Sequence, residues 1–352
     1  MNAESAPVVM IYRLGSLGDT IVALPAIRLV ARAFPLSRRV LLTNAPISDK
    51  AASPFGVLAG TGLVDAIVEY PLKMRNWREI LAARRRIRAV RPDVLVYLAP
   101  ARGRLNALRD AAFFWFCGIR RMVGVPVRRR LQASLAQPGG MYEYEGARLV
   151  RSLAALGPHP IDDAAFDLRL TAAEREAAKT TLAGLGGLKI LAFSIGTKTD
   201  VSDWGDAKWR ALLARLAASL SGWGLVAVGV ASERARTDAL MATWPGPNVN
   251  ACGALDVRVS GAVLAQANVF LGHDSGPMHL AAAAGTPCVA VFSARSLPGV
   301  WFPPGTKNKN LYHTIACQGC RLFVCVTRAK ACINAISVDE VFEALEAVVK
   351  LG

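Results

Sequence analysis

Histidine is scarce in this chain. Its 352 residues include four, His159, His273, His279 and His313, and no HExxH run, GxSxG elbow or Ser–His–Asp set surrounds them. Zinc-protease and serine-hydrolase chemistry both need a histidine at a fixed spacing from its partners, so both are excluded. No apolar run reaches the about 20 residues of a membrane-spanning helix. The opening MNAESAP carries no basic residue, and the apolar segment behind it, 8–12, is only strand-length, so no secretory leader is expected. Without a zinc finger, basic zipper or RNA-recognition signature, nucleic acid is not an expected partner. Tandem repeats and low-complexity tails are missing too.

Acidic residues are also in short supply. Lys and Arg number 42 against 26 Asp and Glu, for a net charge of +16. The excess is uneven: residues 1–170 hold 25 basic against 13 acidic side chains, residues 171–352 hold 17 against 13. Most of the cations are arginine, which suits carboxylates and phosphates, so the first half is expected to face an anionic substrate or lipid surface. Seven cysteines fit a reducing compartment, and a cytoplasmic location is expected. Cys117, Cys252 and Cys288 stand singly in apolar surroundings and read as core fillers.

Strand-like and helix-like segments alternate throughout, the pattern of an α/β fold with parallel sheets. Strands are expected at 8–12, 39–43, 64–69 and 94–98, with helices at 19–33, 76–90, 105–116 and 142–156. A polar, turn-rich stretch at about 158–170 reads as a linker. The alternation then restarts, with strands at 189–194, 225–230 and 248–252 and helices at 171–185, 206–220, 232–243 and 259–267. Two doubly wound units in succession would bind a ligand at the carboxyl ends of their strands.

The most informative stretch is VFLGHDSGPMHLAAAAGTPCVAVF, starting at Val269: strand, turn, small-residue helix, strand. It releases Asp274, Ser275 and Gly276 directly into a helix start, where hydroxyl, backbone N–H and helix dipole converge on an anion. The other polar groups of the turn are His273 and His279. In RLGSLGDT, Gly15 and Gly18 permit a tight turn around Ser16, and Asp19 stands at the following helix start. That carboxylate reads as a helix cap or as a general base. The segment is neither GxGxxG nor a P-loop. Ser194-Ile195-Gly196-Thr197-Lys198-Thr199 follows a strand and suits phosphate oxygens. Glu233, just past another strand, could take both hydroxyls of a ribose. Cys317, Cys320, Cys325 and Cys332 fall within sixteen residues and read as a structural metal site, disulfides or free thiols. Phe113, Phe114, Trp115 and Phe116, with Arg120 and Arg121 close behind, read either as core or as a helix resting on an anionic bilayer.

Together these segments resemble glycosyltransferase family 9, the ADP-heptose:lipopolysaccharide heptosyltransferases. IYRLGSLGDTIVALPAIRLVARAFP matches the family's strand, Gly-x-x-Gly-Asp and helix, and GHDSGPMHLAAAAGTPCVAVF matches its Asp-Ser/Thr-Gly-x-x-His-x-x-Ala-Ala signature. YEYEGARLVRSLAALG and FSIGTKTDVSDWGDAKW are similar to its intervening segments. The resemblance implies a GT-B fold, with two Rossmann-like doubly wound domains facing across a cleft. These would be an acceptor domain over 1–165 and a nucleotide-sugar domain over 166–352, with the terminal helix able to pack back on the first. It implies inverting, metal-independent transfer of heptose from ADP-L-glycero-D-manno-heptose, with no cofactor, to an anionic lipid-linked saccharide (Kdo or heptose of the inner core). The enzyme would be cytoplasmic or peripheral at the inner leaflet. Asp19 would be the base, with Gly15, Ser16 and Gly18 as the acceptor-side loop. Thr197, Lys198, Glu233, Asp274, Ser275, Gly276 and His279 would hold the donor.

Two positions depart from the family pattern. Its Lys-x-Trp-Pro is Ser202-Asp203-Trp204-Gly205 here, and its glycine after the last apolar strand is Ser293. Lys198 is the candidate to replace the missing lysine. The alternatives left open are a GT-B transferase with another nucleotide sugar or with a protein or small-molecule acceptor, a dinucleotide-dependent α/β oxidoreductase, and a non-catalytic GT-B-like binding protein.

Overall fold

Parallel strands covered on both faces show no polar side, so they read as continuous apolar runs. Such runs build the first sheet: β1 (Val8–Tyr12), β2 (Arg38–Asn44), β3 (Ala66–Tyr70), β4 (Val94–Tyr97) and β5 (Arg121–Val123). Their order is β3-β2-β1-β4-β5 and every pairing is parallel, with Met10 between Val40 and Leu95. The chain moves outward from β1 through β3, then returns to the other side of β1 as β4. The strand order therefore reverses between β1 and β4, the point at which open α/β sheets bind ligands. The computed structural model describes residues 6–44, 54–70 and 76–351. Residues 1–5, on which part of the leader reading rests, lie outside them.

The helix expected at 19–33 is two helices, α1 (Leu17–Val22) and α2 (Leu24–Ala33), meeting at Ala23. Pro25 breaks it, having no N–H for the carbonyl of Ile21 and a ring that crowds it. Next come the short α3 (Pro54–Leu58), then α4 (Trp77–Val90) and α5 (Arg104–Phe116). The helix expected at 142–156 shortens to α6 (Glu145–Ser152) because Tyr144 has an extended ψ of 136°. Segments as short as α3 and β5 carry no readable period, and both were missed from sequence.

The second sheet holds β6 (Ile190–Ser194), β7 (Gly224–Ala227), β8 (Asn248–Asn250), β9 (Val269–His273), β10 (Cys288–Val291) and β11 (Lys309–Leu311). Its order is β11-β10-β9-β6-β7-β8, again all parallel, with the reversal between β6 and β9. The helices are α7 (Ala172–Leu182), α8 (Asp206–Ser219), α9 (Arg234–Met241), α10 (Val257–Leu264), α11 (Gly276–Ala283), α12 (Ala331–Asn334) and α13 (Val338–Leu351). The terminal helix α13 packs against α8, β9, β10 and β11, and Val341, Phe342 and Leu345 join the core around Trp204 and Trp209. It thus contributes to the core of the second sheet.

The chain divides into two compact units, Met1–Phe166 and Asp167–Gly352. A buried clamp holds the start of the second. Arg258 on α10 donates from Nη2 to Glu174 Oε2 at 2.8 Å and to the carbonyl of Arg169 at 3.0 Å, and from Nη1 to the carbonyl of Leu168 at 3.1 Å. Glu174 also closes a capping box, accepting from Thr171 N at 2.7 Å while its own N–H donates to Thr171 Oγ1. The Arg258 hydrogen bonds hold the Glu174 carboxyl at about 2, below its ordinary 4.5. Arg258→Met should therefore cost about 2–3 kcal/mol at pH 7 in urea denaturation. The wild-type excess should be complete above pH 4.5 and fade as pH falls toward 2, because only the unfolded carboxyl protonates in that window.

Candidate active site

In the first unit the loop leaving β1 is built on a buried cation. Arg13 is fully buried, donating from Nη1 to the carbonyl of Leu98 at 2.7 Å and from Nη2 to the carbonyl of Asp19. Burial lowers its pKa, and the Asp19 and Glu145 carboxylates push it back up. Arg13 thereby joins the ends of β1 and β4 to the loop at the strand reversal.

Asp19 projects from the first turn of α1. Its Oδ2 accepts from Ser16 N at 2.8 Å and Ser16 Oγ at 3.0 Å, and its Oδ1 lies 3.8 Å from Arg13 Nη2. The side chain remains 26% exposed, enough for a substrate hydroxyl to reach it. Gly15 is needed here: its φ is +132°, and a Cβ would stand 2.5 Å from Asp19 Cγ. Its N–H donates to Asn44 Oδ1 at 2.9 Å, tying the loop to the end of β2. Gly18 is buried inside α1. Gly15, Ser16, Gly18 and Asp19 thus form one motif. A carboxylate oriented by two donors and a nearby guanidinium, yet open to solvent, can accept a proton from a bound alcohol.

In the second unit the other expected residues lie on the segments that follow β6, β7 and β9. His273 ends β9 fully buried. Its Nε2 accepts from Trp204 N at 3.0 Å, so its Nδ1 carries the proton facing the carbonyl of Ile195 at 3.1 Å. Burial lowers its pKa to about 4, and the ring is neutral. It fastens the loop after β6 to the end of β9. Past it, Ser275 is the N-cap residue of α11, and among the described residues its buried Oγ has no hydrogen-bond partner. Ser194 Oγ, at the end of β6, is in the same condition. The N–H of Asp274 is spent on the carbonyl of Val291 at 3.1 Å, so the turn's open donors are those of the first turn of α11, beginning with Gly276. Asp274 Oδ1 lies 3.8 Å from His279 Nε2, and His279 packs edge-on against Trp301.

Glu233 meets the same loop from β7. A Cβ on Gly196 would come within 2.5 Å of Glu233 Oε1, so the loop runs directly over this carboxylate. Glu233 Oε2 also accepts from Val230 N at 3.1 Å. Thr197 Oγ1 donates to the carbonyl of Thr199 at 3.3 Å, and Lys198 is exposed.

Where the family pattern has lysine, Ser202 is buried, sharing hydrogen bonds with Thr199 Oγ1 at 3.0 Å and Ser293 Oγ at 3.1 Å. The two departures from the pattern therefore touch each other. Lys330 rests on this loop, donating from Nζ to the carbonyls of Asp200 at 3.3 Å and Asp203 at 3.2 Å, and Arg236 pairs with the Asp203 carboxylate at 2.8 Å. Lys330 belongs to a strap that also joins Val201 N to the carbonyl of Phe323 at 3.2 Å and Gly319 N to that of Ala294 at 2.7 Å.

The cysteine quartet does not assemble. Among the described residues no three His, Cys, Asp or Glu side chains converge on a metal position, and all seven cysteines are thiols. α12 turns Cys332 into the apolar core, away from the partly exposed Cys317, Cys320 and Cys325.

The model of glycosyltransferase family 9 (heptosyltransferase) matches residues 82–330. The chain belongs to this family. It is a glycosyltransferase with the GT-B fold, which sets the oxidoreductase reading aside. The match starts beyond the Asp19 loop, so that loop stands on its own geometry. No curated protein matches the chain. Among solved structures it is similar to a family 9 glycosyltransferase from Veillonella parvula: 15% identity, TM-score 0.73, covering 99% of this chain and 98% of that one. It is similar to ADP-heptose lps heptosyltransferase II from E. coli: 16% identity, TM-score 0.66, 98% and 99% covered. A third is E. coli heptosyltransferase WaaC with ADP-2-deoxy-2-fluoro heptose: 18% identity, TM-score 0.60, 97% and 99% covered.

Proposed function

We propose that the enzyme moves heptose from ADP-L-glycero-D-manno-heptose to an anionic, lipid-linked inner-core saccharide, Kdo or heptose, with inversion and without a metal, in the cytoplasm. The second unit holds the donor and the first the acceptor. The observation that carries this is the buried Ser275 hydroxyl at the start of α11, which has no hydrogen-bond partner among the described residues; Ser194, at the end of β6, is in the same condition. Buried hydroxyls without partners are costly unless a ligand satisfies them. An anion at this helix start fits both the Ser275 hydroxyl and the α11 amides. Glu233, held against the Gly196 loop, fits the paired hydroxyls of the nucleotide ribose.

Asp19 removes the proton from the acceptor hydroxyl as that oxygen attacks the anomeric carbon. The bond from that carbon to the β-phosphate oxygen breaks, and its electron pair departs with ADP. The α11 amides and the Ser275 hydroxyl stabilise the charge growing on the diphosphate. The basic first half complements the acceptor's carboxylates and phosphates.

The test is calorimetric titration with ADP, ADP-heptose, a UDP-sugar and NAD, followed by mass spectrometry of a Kdo-bearing acceptor. Micromolar ADP and ADP-heptose binding, a product heavier by one heptose, and at least about tenfold weaker ADP binding in Ser275→Val are expected. Preference for the UDP-sugar would overturn the donor assignment, and binding without transfer would overturn the reaction.

A further inference from the structure

The helix α5 is apolar on two opposite faces. Ala107, Phe114 and Cys117 point inward with the buried Asp110. Leu105, Leu108, Ala112, Trp115 and Phe116 fall on a second stripe, at the spacing of one helix face, and it points to solvent. Leu105 is 83% exposed, Leu108 50%, Trp115 59% and Phe116 46%. An ordinary surface helix carries polar residues there, and a contiguous apolar stripe of this kind marks an interaction face.

The stripe has a cationic collar. The Arg120 guanidinium sits 4.1 Å over the Trp115 ring and donates to the Trp115 carbonyl at 2.9 Å. Arg84, from the neighbouring α4, sits 4.5 Å over the Phe116 ring and donates to the Phe116 carbonyl at 3.0 Å. Arg85, Arg88 and Arg104 are exposed on the same two helices. Among the described residues none of these five arginines has a carboxylate within ion-pair distance. Between residues 76 and 121 eleven arginines face three acids, Glu79, Asp93 and Asp110, and Asp110 is buried and already paired with Arg102 and Arg109.

We propose that the outer face of α5 with its arginine collar docks on an anionic lipid bilayer, α5 lying in the membrane plane. Leucine and tryptophan tips enter the headgroup boundary while guanidiniums bind lipid phosphates. A second copy of this chain is the wrong occupant, because pairing two such faces would oppose two uncompensated collars. Trp115 and Phe116, each capped by an arginine, combine an apolar body with a charged rim, as headgroup-level side chains do. This goes beyond the transfer reaction and draws on it only for the acceptor's lipid anchor.

The experiment is flotation of the full chain with vesicles of phosphatidylcholine alone or mixed equally with phosphatidylglycerol. Two variants accompany it, Leu105→Ser/Leu108→Ser/Trp115→Ser and Arg84→Gln/Arg120→Gln. Wild type should partition at least about tenfold more onto the anionic vesicles, and each variant should lose most of that gain. ADP affinity, melting temperature and turnover on a delipidated acceptor should be unchanged, which separates this result from any failure of the donor assignment. Equal wild-type partition onto both vesicles overturns the proposal. So does unaltered binding by the triple variant, or self-association in solution that the triple variant abolishes.

Discussion

Asp19→Asn is expected to reduce heptosyl transfer by about 10²–10⁴-fold while ADP affinity and melting temperature match wild type. The substitution is nearly isosteric. Its amide oxygen can still accept from Ser16 N and Oγ, so the loop at the end of β1 keeps its shape. What disappears is the oxygen able to hold the acceptor's proton as the new bond forms. Turnover above about a tenth of wild type would show that another group or water takes the proton. A fall in ADP affinity of similar size would show that Asp19 serves the donor. Gly15→Ala should mimic the loss of transfer for a different reason, since its Cβ would occupy the space of the Asp19 carboxylate and force it aside.

Acidification from pH 6.5 to 4 is expected to strip about 3 kcal/mol from folding stability through His273 alone. Its imidazole is neutral and buried in the native state with a pKa of about 4, against 6.5 when solvated. Between those values the unfolded chain binds a proton that the native chain refuses, so stability falls as pH falls. Above pH 6.5 neither state is protonated and the contribution is flat. His273→Gln would lose the fit of two hydrogen bonds, to the carbonyl of Ile195 and from the N–H of Trp204, and should cost about 2–3 kcal/mol at pH 7. Its stability should nevertheless vary less between pH 6.5 and 4. Urea denaturation across that range checks this, and an unchanged slope in the variant would remove His273 from the account.

The sheets were legible because buried parallel strands leave unbroken apolar runs, as in VVMIY and in the strands on either side of Asp274. The two loops at the strand reversals were legible because glycine, hydroxyl and carboxylate crowd into few residues there. What escaped was everything made by distant pairs. Arg13 looked like the residue before a glycine loop, and nothing local says that it is the buried hub joining Leu98 to Asp19. Ser202 and Ser293 looked like separate departures from a pattern, yet they share a hydrogen bond across 91 positions. The cysteine spacing suggested a metal knuckle, but α12 commits Cys332 to the core. The apolar run in α5 suggested either core or membrane. The helix is core on one face and exposed on the other, with Phe114 inside and Trp115 outside.

The strap carrying Lys330 has a consequence for biosynthesis. The loop after β6 is shaped by Ser293, by the backbone of Phe323 and by the ammonium of Lys330, all emerging roughly ninety to one hundred and thirty positions later. Contacts of such long range form late in folding. A nascent chain released before residue 330 would hold every strand of the second sheet yet lack the ammonium that rests on the carbonyls of Asp200 and Asp203, so the loop after β6 takes its final shape only once the last part of the chain has emerged.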